Sequence, residues 1–166
     1  LNPLTRLYLQ SANNLVLRAG GAVQVTVDGE VAASRTRGIA DGLEQNFSGQ
    51  EQIRRIPRPY QRVANSGELV VSVIYDRALS VRAIRLIEGS VGGVRIRAEG
   101  LVGDTWQPLD TAILSTDPDP VIPYQIFDFV LPEPMELSGI RVRIEAGGRL
   151  QEASVLELDA LIDGSF

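Results

Sequence analysis

The chain has 166 residues, 44% hydrophobic and 22% charged, with a net charge of -5 and neither cysteine nor histidine. Its 16 cationic residues are all arginine, so residue type alone excludes disulfides, thiolate or imidazole catalysis, nitrogen- and sulfur-ligated zinc, and Schiff-base or phosphate-cradling lysines. The length suits one domain with a substantial core, no apolar run approaches the roughly 20 residues of a membrane-spanning helix, and the acidic excess argues against bulk nucleic-acid affinity.

Apolar residues alternate with period two almost throughout, and no stretch of a dozen residues carries an apolar stripe at helical spacing, so an all-β chain is expected. Ala22 to Val27 alternates cleanly into Asp28-Gly29, a dipeptide suited to positive φ, and continues over Glu30 to Ala33 as a hairpin. Residues 1–33 therefore read as an extension that packs on a neighbouring chain or domain, ahead of a sandwich over 34–166. Ser34 to Asn65 is polar and irregular, with room for a short helix over Gly49 to Arg54. Loops of that length in a compact domain are usually functional or disordered.

Further strands are expected over Glu68 to Tyr75, Ser80 to Ile87 and Gly93 to Glu99, separated by turns at Asp76-Arg77 and Glu88 to Gly93. Trp106 to Leu114 reads as a shorter strand. Ser115 to Pro123 is a loop because its three prolines each remove a ladder donor. Tyr124 to Leu131, Leu137 to Glu145 and Val155 to Ile162 complete about eight or nine antiparallel strands, the pattern of a β-sandwich or jelly roll.

From about Ala40 to Asp163 the order of features resembles a galactose-binding-like jelly roll, the fold of discoidin and coagulation-factor C-type domains and of many carbohydrate-binding modules. Four segments carry the resemblance: AASRTRGIADG at Ala32 to Gly42, ELVVSVIYDRALSVRAIRLIEG at Glu68 to Gly89, Gly93 to Leu109 with Trp106, and Phe127 to Asp163, with its L-P-x-P turn and acidic closing strand. Members often carry a tryptophan soon after the Asp-Gly loop and a disulfide joining the ends. Here Phe47 is the nearby aromatic and cysteine is absent.

The resemblance implies a structural calcium between the early loop and the last strand, which places Asp41, Glu157 and Asp159 as oxygen ligands. The plainer alternative is that Asp41 caps a turn while Glu157 and Asp159 lie on a solvated strand face. On GVRIRAE and GIRVRIE, alternation puts Arg95 with Arg97 and Arg141 with Arg143 on outer faces. These fit either an acidic ligand or cross-strand pairing with Glu99 and Glu145.

A third candidate is EQIRRIPRPYQR, which gathers Arg54, Arg55, Arg58 and Arg62 around Tyr60. Aromatic and guanidinium groups together are interface and sugar-site chemistry, so these five residues are the expected ligand or partner contacts. The alternative is a loop draped over the sandwich, with Ile53 and Ile56 plugging one end. Asp117, Asp119, Glu133 and Glu136 are available for glycosidase chemistry, but nothing in the pattern sets two of them across a cleft.

The reading is a non-catalytic binding module for cell-surface carbohydrate, extracellular or on a cell or particle surface, from a bacterial or phage-like source. It binds no nucleic acid and does not insert into membranes. The alternative is a structural or adaptor subunit of a tail, spike or cell-envelope assembly. In either case a homo- or hetero-oligomer is expected.

Overall fold

Alternating runs such as Leu69, Val71 and Val73, or Ile140, Val142 and Ile144, place every second side chain on one face, and all six are fully buried. The computed structural model describes residues 9–31, 39–40, 60–63, 68–88, 93–116, 125–146 and 152–163. The elements in chain order are β1 (Gln10–Ser11), α1 (Ala12–Arg18), β2 (Val23–Val27), β3 (Glu30–Val31), β4 (Tyr60–Val63) and β5 (Glu68–Glu88). They continue with β6 (Gly93–Val102), β7 (Thr105–Pro108), β8 (Ala112–Thr116), β9 (Gln125–Ala146) and β10 (Glu152–Ile162).

Two long strands organise the sandwich. The first part of β5 (Leu69 to Ile74) pairs with Gly139 to Ile144 of β9, and its last part (Ala83 to Glu88) with Gln125 to Val130. β2 flanks β5 and β6 flanks β9 at the first region, giving a sheet in the order β3, β2, β5, β9, β6, β7. At the second region β10 flanks β5 and β8 flanks β9, giving the order β8, β9, β5, β10, with β1 and β4 both on the outer edge of β10. The core is the meeting of the inner faces, with Val71, Val142 and Ala98 from one sheet and Ile84, Leu158 and Phe129 from the other. Burying an apolar side chain of valine size or larger is worth about 1.5–3 kcal/mol.

The sequence reading broke these long strands in two. Asp76-Arg77 is not a hairpin turn: β5 runs on through it, with register shifts between Ile74 and Leu79 and between Val81 and Ala83. The Asp76 carboxylate accepts the Ala22 N–H at 2.8 Å and Nε–H of Arg77 at 2.8 Å, which fixes the irregularity. Pro132-Glu133-Pro134 likewise lies inside β9, within the stretch where Met135 pairs with Val81 but Val130 pairs with Ala83. Prolines are tolerated there because a bulge needs no ladder donor. The expected strand over Trp106 to Leu114 divides into β7 and β8, which belong to different sheets.

The hairpin is present, with Asp28 at φ 52° and Gly29 at φ 85°, the two left-handed positions of a type I′ turn. It belongs to this chain's own sheet, since β2 pairs with β5 over Val23 to Val27. The helix α1 has no counterpart in the sequence reading. Its seven residues are too short for a periodic stripe to register, yet Ala12 and Val16 are fully buried in the core. Residues 10–31 thus pack on the sandwich itself, with α1 contacting both β2 and β10. Gly49 to Arg54 lies outside the described residues.

Candidate functional site

Glu157 and Asp159 share one face of β10, and the structure corrects the expectation that this face is solvated: they are 2% and 0% exposed. The cause is α1. Ser11 caps the helix by accepting the Asn14 N–H at 3.1 Å, and its hydroxyl donates to Asp159 Oδ2. The Asn13 N–H donates to Asp159 Oδ1 at 3.0 Å, and the Asn13 carboxamide donates to Glu157 Oε1 at 3.1 Å.

The same residues close a gap in the sheet edge. On the edge of β10 away from β5, β4 covers Glu152 to Val155 and β1 covers Leu161 and Ile162, and among the described residues no strand pairs with the backbone between them on that edge. Asn13 Nδ2 donates to the Leu158 carbonyl at 2.8 Å, and the Tyr75 hydroxyl accepts the Ala160 N–H at 3.3 Å while donating to Asn13 Oδ1 at 2.6 Å. Burial, and then the nearby Asp159 charge, push the Tyr75 phenol well above its ordinary pKa. Ser11, Asn13 and Tyr75 are the residues the sequence reading missed. The available signals were the Ser11 cap position and the Gly20-Gly21 pair that ends the helix, with Gly20 at φ 77°.

As a donor set, buried carboxylate oxygens at alternate positions have the hard-ligand chemistry that calcium requires. Among the described residues no group of three or more such side chains converges, and Asp41 lies outside the described residues. Three of the oxygens on Glu157 and Asp159 already accept hydrogen bonds from β1 and α1.

The outer face of the first sheet carries the arginines that alternation placed there, and Arg97, Arg141 and Arg143 pair within the face. Glu99 Oε1 accepts from Arg141 Nε at 2.9 Å and from Arg143 Nε at 2.6 Å; Glu68 accepts from Arg143 at 2.9 Å and from Arg97 at 3.2 Å. The Arg141 guanidinium also lies 4.3 Å from the centre of the Trp106 ring. Burial raises the Glu99 carboxyl, but the two arginines outweigh it and hold it below its ordinary range. This is the cross-strand pairing weighed from the sequence, with Glu68 rather than Glu145 as the second acceptor.

Of the arginine-rich segment, Arg54, Arg55 and Arg58 lie outside the described residues. Tyr60 and Arg62 fall on β4, where their backbones pair with Val155 and Ala153. The strand thus begins earlier than the sequence reading allowed. Asp117 and Asp119 also lie outside the described residues, while Glu133 and Glu136 are exposed.

The chain is an antiparallel sandwich in which β5 and β9 run through both sheets, and the solved structures it superposes on specify the type. The fold is that of galactose-binding-like jelly-roll domains. It matches the family 32 carbohydrate-binding module of C. perfringens NanJ, a structure in complex with galactose, with a TM-score of 0.57 at 10% identity over 92% of this chain and 98% of that one. It matches the Clostridium perfringens module CpGH89CBM32-6 with a TM-score of 0.52 at 10% identity over 83% and 91%. A Ruminococcus gnavus GH29 fucosidase in complex with fucose gives 0.52 at 12% identity, over 90% of this chain but only 26% of that one. No protein-family model and no curated protein matches the sequence.

Proposed function

We propose that the protein is a non-catalytic carbohydrate-binding module that docks a larger secreted or surface protein onto glycans outside the cell. The observation that carries this reading is the superposition over 92% of the chain on a module in complex with galactose. The absence of histidine, cysteine and lysine supports a role without chemistry. Arg54, Arg55, Arg58, Tyr60 and Arg62 supply ligand contacts, the tyrosine stacking on a sugar face and the guanidinium forks bonding to ring hydroxyls. A calcium ion held by Asp41, Glu157 and Asp159 would tie the early Asp-Gly loop to β10 as a structural clasp, with no part in ligand chemistry.

A glycan array with the whole chain tests the reading. Binding to galactose-terminated glycans is expected, and R54S/R55S/R58S removes it while changing stability by no more than about 0.5 kcal/mol. Retained binding in that variant overturns the site. A chain that binds no glycan and instead captures partner subunits overturns the module in favour of an adaptor.

A further inference from the structure

Between β7 and β8 the chain crosses from one sheet to the other through Leu109 to Thr111. Three depressions surround the crossing. One of about 280 Å³ lies between the sheets and reaches Ile96 and Phe129. Another of about 390 Å³ faces the Pro132-Glu133-Pro134 bulge, and a third of about 350 Å³ runs along Ala112 and Val130. Their walls are shared: Pro108 to Asp110 border the first two, Leu131 and Pro132 the last two, and Asp110 lines all three. They adjoin one another around Asp110 and are taken together as one concave region.

The chemistry of this concavity is specific. Pro108, Pro132 and Pro134 are exposed, and Ile113 is 55% exposed. These give saturated ring and aliphatic surface of the kind that packs against the C–H face of a pyranose. The two arginines at its border, Arg97 and Arg143, are engaged by Glu68 and Glu99. Asp110 and Glu133, by contrast, make no hydrogen bond or ion pair among the described residues. The two carboxylates are acceptors with negative charge, matched to neutral hydroxyl donors and unfavourable to uronates or sulfates.

We infer that this concavity is a second glycan-contacting surface, selective for neutral glycans of several rings. The inference rests on the carbohydrate-binding reading, but it names residues other than those of the arginine-rich segment. In the order β8, β9, β5, β10, β4 the strand that contains Tyr60 and Arg62 lies at the opposite edge of the sheet from β8, roughly 19 Å away by strand spacing.

Calorimetric titration of the whole chain with galactose, with neutral galacto-oligosaccharides of two to four rings, and with oligogalacturonates of the same lengths tests it. The expected result is a rise in affinity of tenfold or more from one neutral ring to three, absent for the uronates. D110A/E133A should bring the trisaccharide down to within about twofold of galactose without changing galactose itself. Both residues are exposed and unbonded, so the variant keeps its fold, and its melting curve verifies this. If it retains the wild-type affinity for the trisaccharide, or the wild type shows no preference for neutral over anionic chains, the concavity is not such a surface. If the wild type binds no glycan, the carbohydrate-binding reading fails first and takes this inference with it.

Discussion

The Tyr75 hydroxyl donates to the Asn13 side-chain oxygen at 2.6 Å, joining the middle of β5 to the first turn of α1 inside the core. Through this bond two side chains complete a stretch of sheet edge that no strand covers among the described residues, because each also satisfies a backbone group of β10. A buried polar group that loses its partner costs about 1–3 kcal/mol.

Tyr75→Phe removes the donor to Asn13 Oδ1 and the hydroxyl that accepts the Ala160 N–H, and Asn13→Ala removes the donor to the Leu158 carbonyl and to Glu157 Oε1. Each variant should lose about 1–3 kcal/mol in urea denaturation. The double variant should lose less than the sum, since the pair is in direct contact. Full additivity would mean that the two residues act separately.

Acid should weaken the first sheet through Glu99. Its folded pKa lies below the ordinary glutamate value of 4.5, so its contribution is present at neutral pH and disappears as the pH falls below that value toward the folded pKa. Melting temperature measured from pH 7 to pH 3 should fall below about 4.5, and Glu99→Gln should flatten that fall while costing about 1 kcal/mol or less at pH 7. An unchanged slope in the variant would assign the acid response to other carboxylates.

Calcium, if held by Asp41, Glu157 and Asp159, stabilises the native state by mass action, by about 2.7 kcal/mol at a hundredfold excess over Kd. Chelation should therefore lower the melting temperature and added calcium restore it, with Asp41→Asn abolishing the response. A melt indifferent to chelator excludes the ion and leaves Ser11 and Asn13 as the partners that secure the two carboxylates.

Most of the fold was legible because period-two alternation in β2, β5, β6, β9 and β10 is a direct record of one buried face per strand. The connections inside the long strands were harder to read. Asp76-Arg77 and Pro132-Glu133-Pro134 have turn composition, and composition does not distinguish a chain that reverses from one that bulges and continues into the other sheet. The charge of Glu157 and Asp159 pointed to solvent, yet a seven-residue helix more than 140 positions away in sequence covers them. The outward arginines were placed correctly, and their partner Glu99 was anticipated. The concavity around Asp110 could not be seen in advance, because it arises where β7 and β8 part into different sheets.

The bond from Ser11 to Asp159 joins positions 148 apart, and this has a consequence in time. Contacts of such separation form slowly, because the intervening chain must first be ordered. During synthesis β1 and α1 emerge among the first of the described segments, but the Glu157 and Asp159 carboxylates that hold them arrive only with β10. Until then Ala12 and Val16 are only partly covered, by elements such as β2, so aggregation competes with folding until β10 docks.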